Sequence, residues 1–162
     1  MSTVLIIDDK EDNLIAVSAL LRNLKPDCRV ITSLSGADGI EKAVRESPDV
    51  VLLDVKMPGM DGFEVCKRLK SIDATRHVPV ILLTAIKTDL ESRVRGLEIG
   101  ADAFLTKPVD ESELVAQINV MLRIKHAEDL LRNEKFVLED LVLERTRSLA
   151  ESEARLKKER DF

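Results

Sequence analysis

The apolar positions of this chain fall into short consecutive runs separated by longer segments with helical spacing. Val4-Leu5-Ile6-Ile7, Val50-Val51-Leu52-Leu53 and the run within Val78 to Leu83 are apolar at successive residues rather than alternate ones. That pattern belongs to strands covered on both faces, as in a parallel sheet. Arg29 to Leu34 is a less apolar run, expected at a sheet edge, and Ala103 to Thr106 is the last run. Between them, Leu14, Val17, Leu20, Leu21 and Leu24 recur at helical spacing until Lys25-Pro26-Asp27. Ser35 can cap a helix containing Ala37, Ile40, Ala43 and Val44, which stops before Ser47-Pro48-Asp49. Phe63, Val65, Cys66 and Leu69 supply the face of a third helix. Thr88 with Glu91 forms a capping pair opening a fourth, with Val94, Leu97 and Ile99 facing inward and Gly100 ending it. Asp110 with Glu113 opens the last.

Strand and helix therefore alternate five times, which predicts a doubly wound α/β fold. Five such units fit the flavodoxin-like parallel sheet of order 2-1-3-4-5. In that order strands one, three and four are neighbours. Their C-terminal ends, where open α/β sheets bind ligands, carry Asp8-Asp9, Asp54 and Thr84, and strand five adds Lys107.

Three carboxylates at one edge repel one another unless a cation sits among them. Oxygen ligands select a hard divalent ion, and Mg²⁺ suits a cluster that retains waters. Asp54 closes an apolar strand, so its carboxylate is held firmly enough to act as a nucleophile toward phosphorus beside a metal. Lys107 supplies a fixed positive charge for phosphoryl oxygens, and Thr84 a hydroxyl. No glycine-rich phosphate loop is present, so the phosphoryl donor need not be a nucleotide.

From Val109 onward the chain has neither proline nor glycine and is rich in helix formers. Continuous helix over that stretch would reach roughly 75–80 Å. One heptad register places Met121, Ile124, Leu131, Leu138, Val142, Leu149 and Leu156 at seam positions, together with Glu128, Lys135, Arg145 and Ser152. Residues 1–122 are thus expected to form one domain and 123–162 an extended helix that pairs two copies as an imperfect coiled coil, since a lone helix has no core to stabilise it. The helical pattern runs to Asp161-Phe162 without a stop signal, so an output domain is expected beyond it.

Composition narrows the field. The 162 residues are 44% hydrophobic and 34% charged, with a net charge of −5, which disfavours nucleic acid and anionic membranes as partners. Cys28 and Cys66 are too few for a disulfide framework and lack metal-ligand spacing. They read as half-buried thiols in a reducing compartment, and His77 and His126 as surface residues. No apolar stretch approaches the ~20 residues that span a bilayer, and Met1-Ser2-Thr3 leads directly into a strand. A cytoplasmic protein is expected.

The assembled residues resemble the response-regulator receiver domain of two-component signalling over about residues 3 to 122. The match comprises Asp8-Asp9, Asp54 followed by Met57-Pro58-Gly59-Met60-Asp61-Gly62, Thr84-Ala85, and Thr106-Lys107-Pro108. The resemblance implies that Asp54 accepts a phosphoryl group from a histidine kinase. It implies Mg²⁺ on Asp9, Asp54 and the backbone carbonyl of Lys56, with Asp8 acting through water. Thr84 and Phe104 would form the switch pair, acting on the face of helix four, strand five and helix five, and Lys107-Pro108 would be cis. Lys56 and Ile86 stand at variable positions of the family, where they are expected to restrict attacking water and prolong the phosphoryl group's life. Leu143 to Glu153 is similar to helical linkers between receivers and output domains.

Two other function classes fit parts of the pattern. Aspartate-nucleophile phosphatases use carboxylates, Lys, Thr and Mg²⁺ at such an edge, but Lys56 stands where they carry a second acid. A passive dimerising adapter would not require carboxylates at a buried edge. The reading is therefore a self-modifying switch rather than an enzyme.

Overall fold

The structure is a computed structural model that describes residues 1–85 and 90–160. Five parallel strands form one sheet in the order β2-β1-β3-β4-β5, as the alternating pattern predicts. They are β1 (Ser2–Ile7), β2 (Cys28–Ser33), β3 (Val50–Asp54), β4 (Val80–Thr84) and β5 (Ala103–Thr106). The connecting helices are α1 (Glu11–Leu24), α2 (Gly36–Glu46), α3 (Gly62–Ser71), α4 (Leu90–Glu98) and α5 (Glu111–Arg160).

The sheet's two faces make two cores. Val4, Ile6, Val50, Leu52, Ile81, Leu83 and Leu105 meet Leu14 and Leu21 of α1 and Leu114 and Ile118 of α5. Leu5, Ile7, Val51, Leu53, Val80 and Leu82 meet Ala43 of α2 and Val65, Cys66 and Leu69 of α3. Alternate residues of each central strand thus serve opposite faces, which is why the middles of those strands are apolar without a break and polar residues stand only at their ends. β2, at the edge, is only partly buried.

Caps set several helix ends. Ser35 Oγ accepts from the Asp38 amide, and Asp110 Oδ1 accepts from the Glu113 amide. At the end of α4, Gly100 has φ +106°, its amide donates to Leu97, and the Ala101 amide donates to Gly96. The Thr88 half of the expected capping pair lies outside the described residues.

Some expectations on helix faces are corrected. Val94 and Leu97 do not face inward: they are exposed, and Gly96 is the buried residue of α4. The ring of Phe104 fills the space beneath Gly96, so the close approach falls on the residue without a side chain. Leu24 and Val44, near helix ends, are also exposed. Cys28 and Cys66 are buried rather than half-buried.

The chain divides into two compact units, Met1–Lys125 and His126–Phe162. In the first, α5 contributes Leu114, Ile118, Met121 and Leu122 to the core, so Met121 packs there and not on a helix-pairing seam. In the second, every large apolar side chain from Leu130 to Leu156 is exposed. Among the described residues, no helix is long and apolar enough to cross a membrane.

Candidate functional site

Strand register brings the expected residues together. Ile7 pairs with Leu53, so Asp8 leaves β1 beside Asp54. Asp54 pairs with Leu83, so Thr84 stands one residue beyond it. Thr84 pairs with Thr106, and the Lys107 amide donates to the Thr84 carbonyl at 2.7 Å. One carboxylate oxygen from each of Asp8, Asp9 and Asp54 lies within 4.8 Å of the others.

Each group is fixed by its own contacts. Asp8 is buried, and its two oxygens accept from the Lys10 amide at 2.9 Å and Asn13 Nδ2 at 3.1 Å. Lys107 Nζ donates to Asp54 Oδ1 at 2.6 Å and to Asp8 Oδ2 at 3.5 Å. The Lys107-Pro108 peptide is cis. Burial raises the pKa of Asp54, with smaller contributions from Asp8 and Asp9, and the hydrogen bond and charge of Lys107 only partly offset this. For Lys107, burial favours the neutral amine, but Asp54 and Asp8 together outweigh it, so its pKa rises. The pair thus secures the ammonium more fully than the carboxylate.

The donor set fits a hard divalent cation. Asp8, Asp9 and Asp54 converge here, and among the described residues Lys107 is the cation paired with Asp8 and Asp54, so the cluster carries an excess of negative charge. Asp9 Oδ1 is enclosed and has no hydrogen-bond partner among the described residues, a costly state for an anionic oxygen in the absence of a ligand. All the ligating atoms are oxygens, and one edge of the cluster opens to a cleft, so a cation there would keep waters.

That cleft, about 490 Å³, is lined by Asp54, Lys56, Phe63, Thr84, Ser92 and Lys107 among others. Thr84 is buried, with its hydroxyl 3.5 Å from the Leu105 carbonyl. Phe104 is half-buried on β5, its ring against Gly96. Lys56 is exposed at the cleft rim, whereas Ile86 lies outside the described residues.

Three supporting residues have roles that the sequence did not assign, two of them within the segment Met57 to Gly62. Gly62 donates its amide to Val55 at 2.8 Å, and a Cβ there would strike the Asp54 carbonyl and lie 2.7 Å from Val55 Cα. This glycine lets α3 begin against the backbone at the end of β3. Asp61 caps that helix through the Glu64 amide. Asn13 steadies Asp8. The first two lie in the turn-rich segment after Asp54, where their type was a signal of local constraint; Asn13 carried none.

Comparison with known proteins agrees with this geometry. A model of the response regulator receiver domain matches residues 4–119. The response regulator PleD of Caulobacter vibrioides is 42% identical over 132 residues, 82% of this chain and 28% of PleD. The transcriptional regulatory protein AfsQ1 of Streptomyces coelicolor is 42% identical across 76% of this chain and 52% of its own length. The chain thus spans about a quarter to a half of these two relatives. Protein PilH of Pseudomonas aeruginosa, 38% identical, is covered over 98% of its length. The solved chemotaxis protein CheY4 of Vibrio cholerae is 30% identical, with a TM-score of 0.70 over 75% of this chain and 99% of that one. The matched span contains the whole strand edge from Asp8 to Lys107, and the chain belongs to the response regulator receiver domain family of two-component signalling.

Proposed function

We propose that Asp54 accepts a phosphoryl group from the phosphohistidine of a partner histidine kinase, in a Mg²⁺-dependent reaction that switches the surface of the domain. The observation that carries this reading is the 2.6 Å contact of Lys107 with a buried strand-end carboxylate beside Asp8 and Asp9. A carboxylate held at such an edge is already positioned for attack. Its oxygen forms the new O–P bond as the N–P bond of the phosphohistidine breaks, and the imidazole nitrogen keeps that bond's electrons. The Lys107 ammonium exchanges its hold on Asp54 for the oxygens of the new phosphoryl group. Asp8, Asp9, Asp54 and the backbone carbonyl of Lys56 would hold Mg²⁺, which when bound neutralises phosphoryl charge.

Thr84 then turns its hydroxyl toward the phosphoryl oxygens, and Phe104 follows, repacking the face of α4, β5 and the first turns of α5. In this reading residues 1–122 are the receiver and 123–162 a linker helix that pairs two copies through Leu131, Leu138, Val142, Leu149 and Leu156. An output domain of a larger regulatory protein follows the linker. Lys56 at the cleft rim shields the phosphoryl group from water and lengthens its life.

The test is transfer from a kinase carrying labelled phosphohistidine. Label should pass to the wild type in Mg²⁺ and fail to pass to Asp54→Asn or in the presence of a chelator. Equal labelling of both proteins would overturn the assignment.

A further inference from the structure

Helix α4 keeps its apolar side chains in water: Leu90 is 78% exposed, Leu97 55% and Val94 44%. Its buried residue is Gly96. The helix is therefore held by groups that reach it from other elements, and two of them are aromatic rings. Phe104 of β5 lies under Gly96. Phe63, in the first turn of α3, carries the guanidinium of Arg95 over its face, 4.8 Å from the ring centroid. Phe63 is 7% exposed and lines the same cleft as Asp54 and Thr84, and Ser92, one turn before Gly96, lines it from the α4 side.

We infer that Arg95 is a positioning residue: through the face of Phe63 it holds α4 over the acceptor cleft and sets how strongly α4 responds when Asp54 is phosphorylated. The attraction between a cation and a ring depends on the cation sitting over the ring face, so a displaced ring carries the arginine with it or loses it. Phe63 forms part of the cleft wall, so a group filling the cleft acts on the ring directly. The adjacent residue, Gly96, receives the motion of Phe104. Two neighbouring positions on one helix thus read two rings at the cleft, and α4 has a second tie to the site beside the Thr84–Phe104 pair.

The inference rests on the phosphoacceptor reading for its trigger, but the contact itself is testable in the free protein. The experiment is amide hydrogen exchange of residues 90–98 in the full chain, with and without Mg²⁺ and beryllofluoride. Wild type, Arg95→Gln and Arg95→Lys are compared, with phosphoryl uptake measured in parallel by intact mass. Arg95→Gln should raise α4 exchange in the free protein by about 2- to 5-fold. It should also shrink the beryllofluoride-induced change, while phosphoryl uptake stays at the wild-type level. Arg95→Lys keeps the cation and should recover most of both effects. Equal α4 exchange in wild type and Arg95→Gln would overturn the inference, as would a Lys variant as defective as the Gln variant. Absence of phosphoryl uptake in the wild type would instead overturn the acceptor reading, and free-protein exchange would still decide the role of Arg95.

Discussion

Lys107 Nζ lies 2.6 Å from Asp54 Oδ1, yet the carboxylate it pairs with is still less acidic than an ordinary aspartate. Burial outweighs the ion pair, so the fold holds Asp54 in a charged state it does not favour. Below pH 3.8 the group is protonated in both folded and unfolded chains and costs nothing. The cost appears as pH rises from there and is complete above the raised folded value. Asp54→Asn keeps the shape without the charge. Without divalent cation at neutral pH it should melt higher than wild type, and the gap should close as pH falls toward 3.8. Thermal unfolding across that range checks the sign.

A side chain at Gly96 should be expelled by Phe104. A Cβ there would lie 2.9 Å from Phe104 Cε1 and closer still to the ring tip. Overpacking of this kind costs about 1–3 kcal/mol, against about 1 kcal/mol gained from the helix propensity of alanine. Gly96→Ala should therefore be neutral to destabilising in the wild type. In the Phe104→Ala background only Leu82 Cδ1, 3.2 Å from that Cβ, remains close, and the same substitution should cost less than in the wild type. Urea denaturation of the four proteins isolates the coupling.

Cys66 should be inert in the folded protein. It is fully buried, and burial raises its pKa from 9.0 to about 11. At pH 8 roughly one molecule in a thousand would carry the thiolate, even before access is considered. Iodoacetamide should modify Cys28 ahead of Cys66 in the native state. The protonated thiol's contribution to stability is full below pH 9.0 and is lost as pH rises through about 11. Cys66→Ala should be less stable at neutral pH but should lose this part of the alkaline slope.

The exposed stripe of Leu131, Leu138, Val142, Leu149 and Leu156 should pair two chains. A chain cut after Lys125 should sediment as a monomer with its sheet intact. The full chain should sediment as a dimer, and Leu138→Glu with Leu149→Glu should return it to the monomer. Sedimentation equilibrium decides between these states.

The strands and their order were legible because central parallel strands have no solvent side, so unbroken apolar runs mark them. The acidic site followed, because register alone carries Asp8, Asp54, Thr84 and Lys107 to one edge. The inner face of α4 was not legible. Apolar periodicity assigns the core to the helix's own side chains, whereas here a ring from β5 fills the gap and glycine faces inward. Gly39 of α2 shows the same arrangement, with Ile7 Cγ1 2.7 Å from where its Cβ would stand. The contacts of Asn13 with Asp8 and of Arg95 with the Phe63 ring were equally hidden, since neither leaves a periodic or motif signal in the chain. Met121 fitted the helical seam and the domain core equally well by spacing, and only the fold separates the two.

The central claim is that Asp54 is the phosphoacceptor, and intact mass tests it most directly. Wild type and Asp54→Asn are incubated with a small phosphodonor and Mg²⁺. A gain of ~80 Da on the wild type alone is expected, because only that chain has the carboxylate nucleophile. The same gain on both proteins, or on neither, would contradict the account.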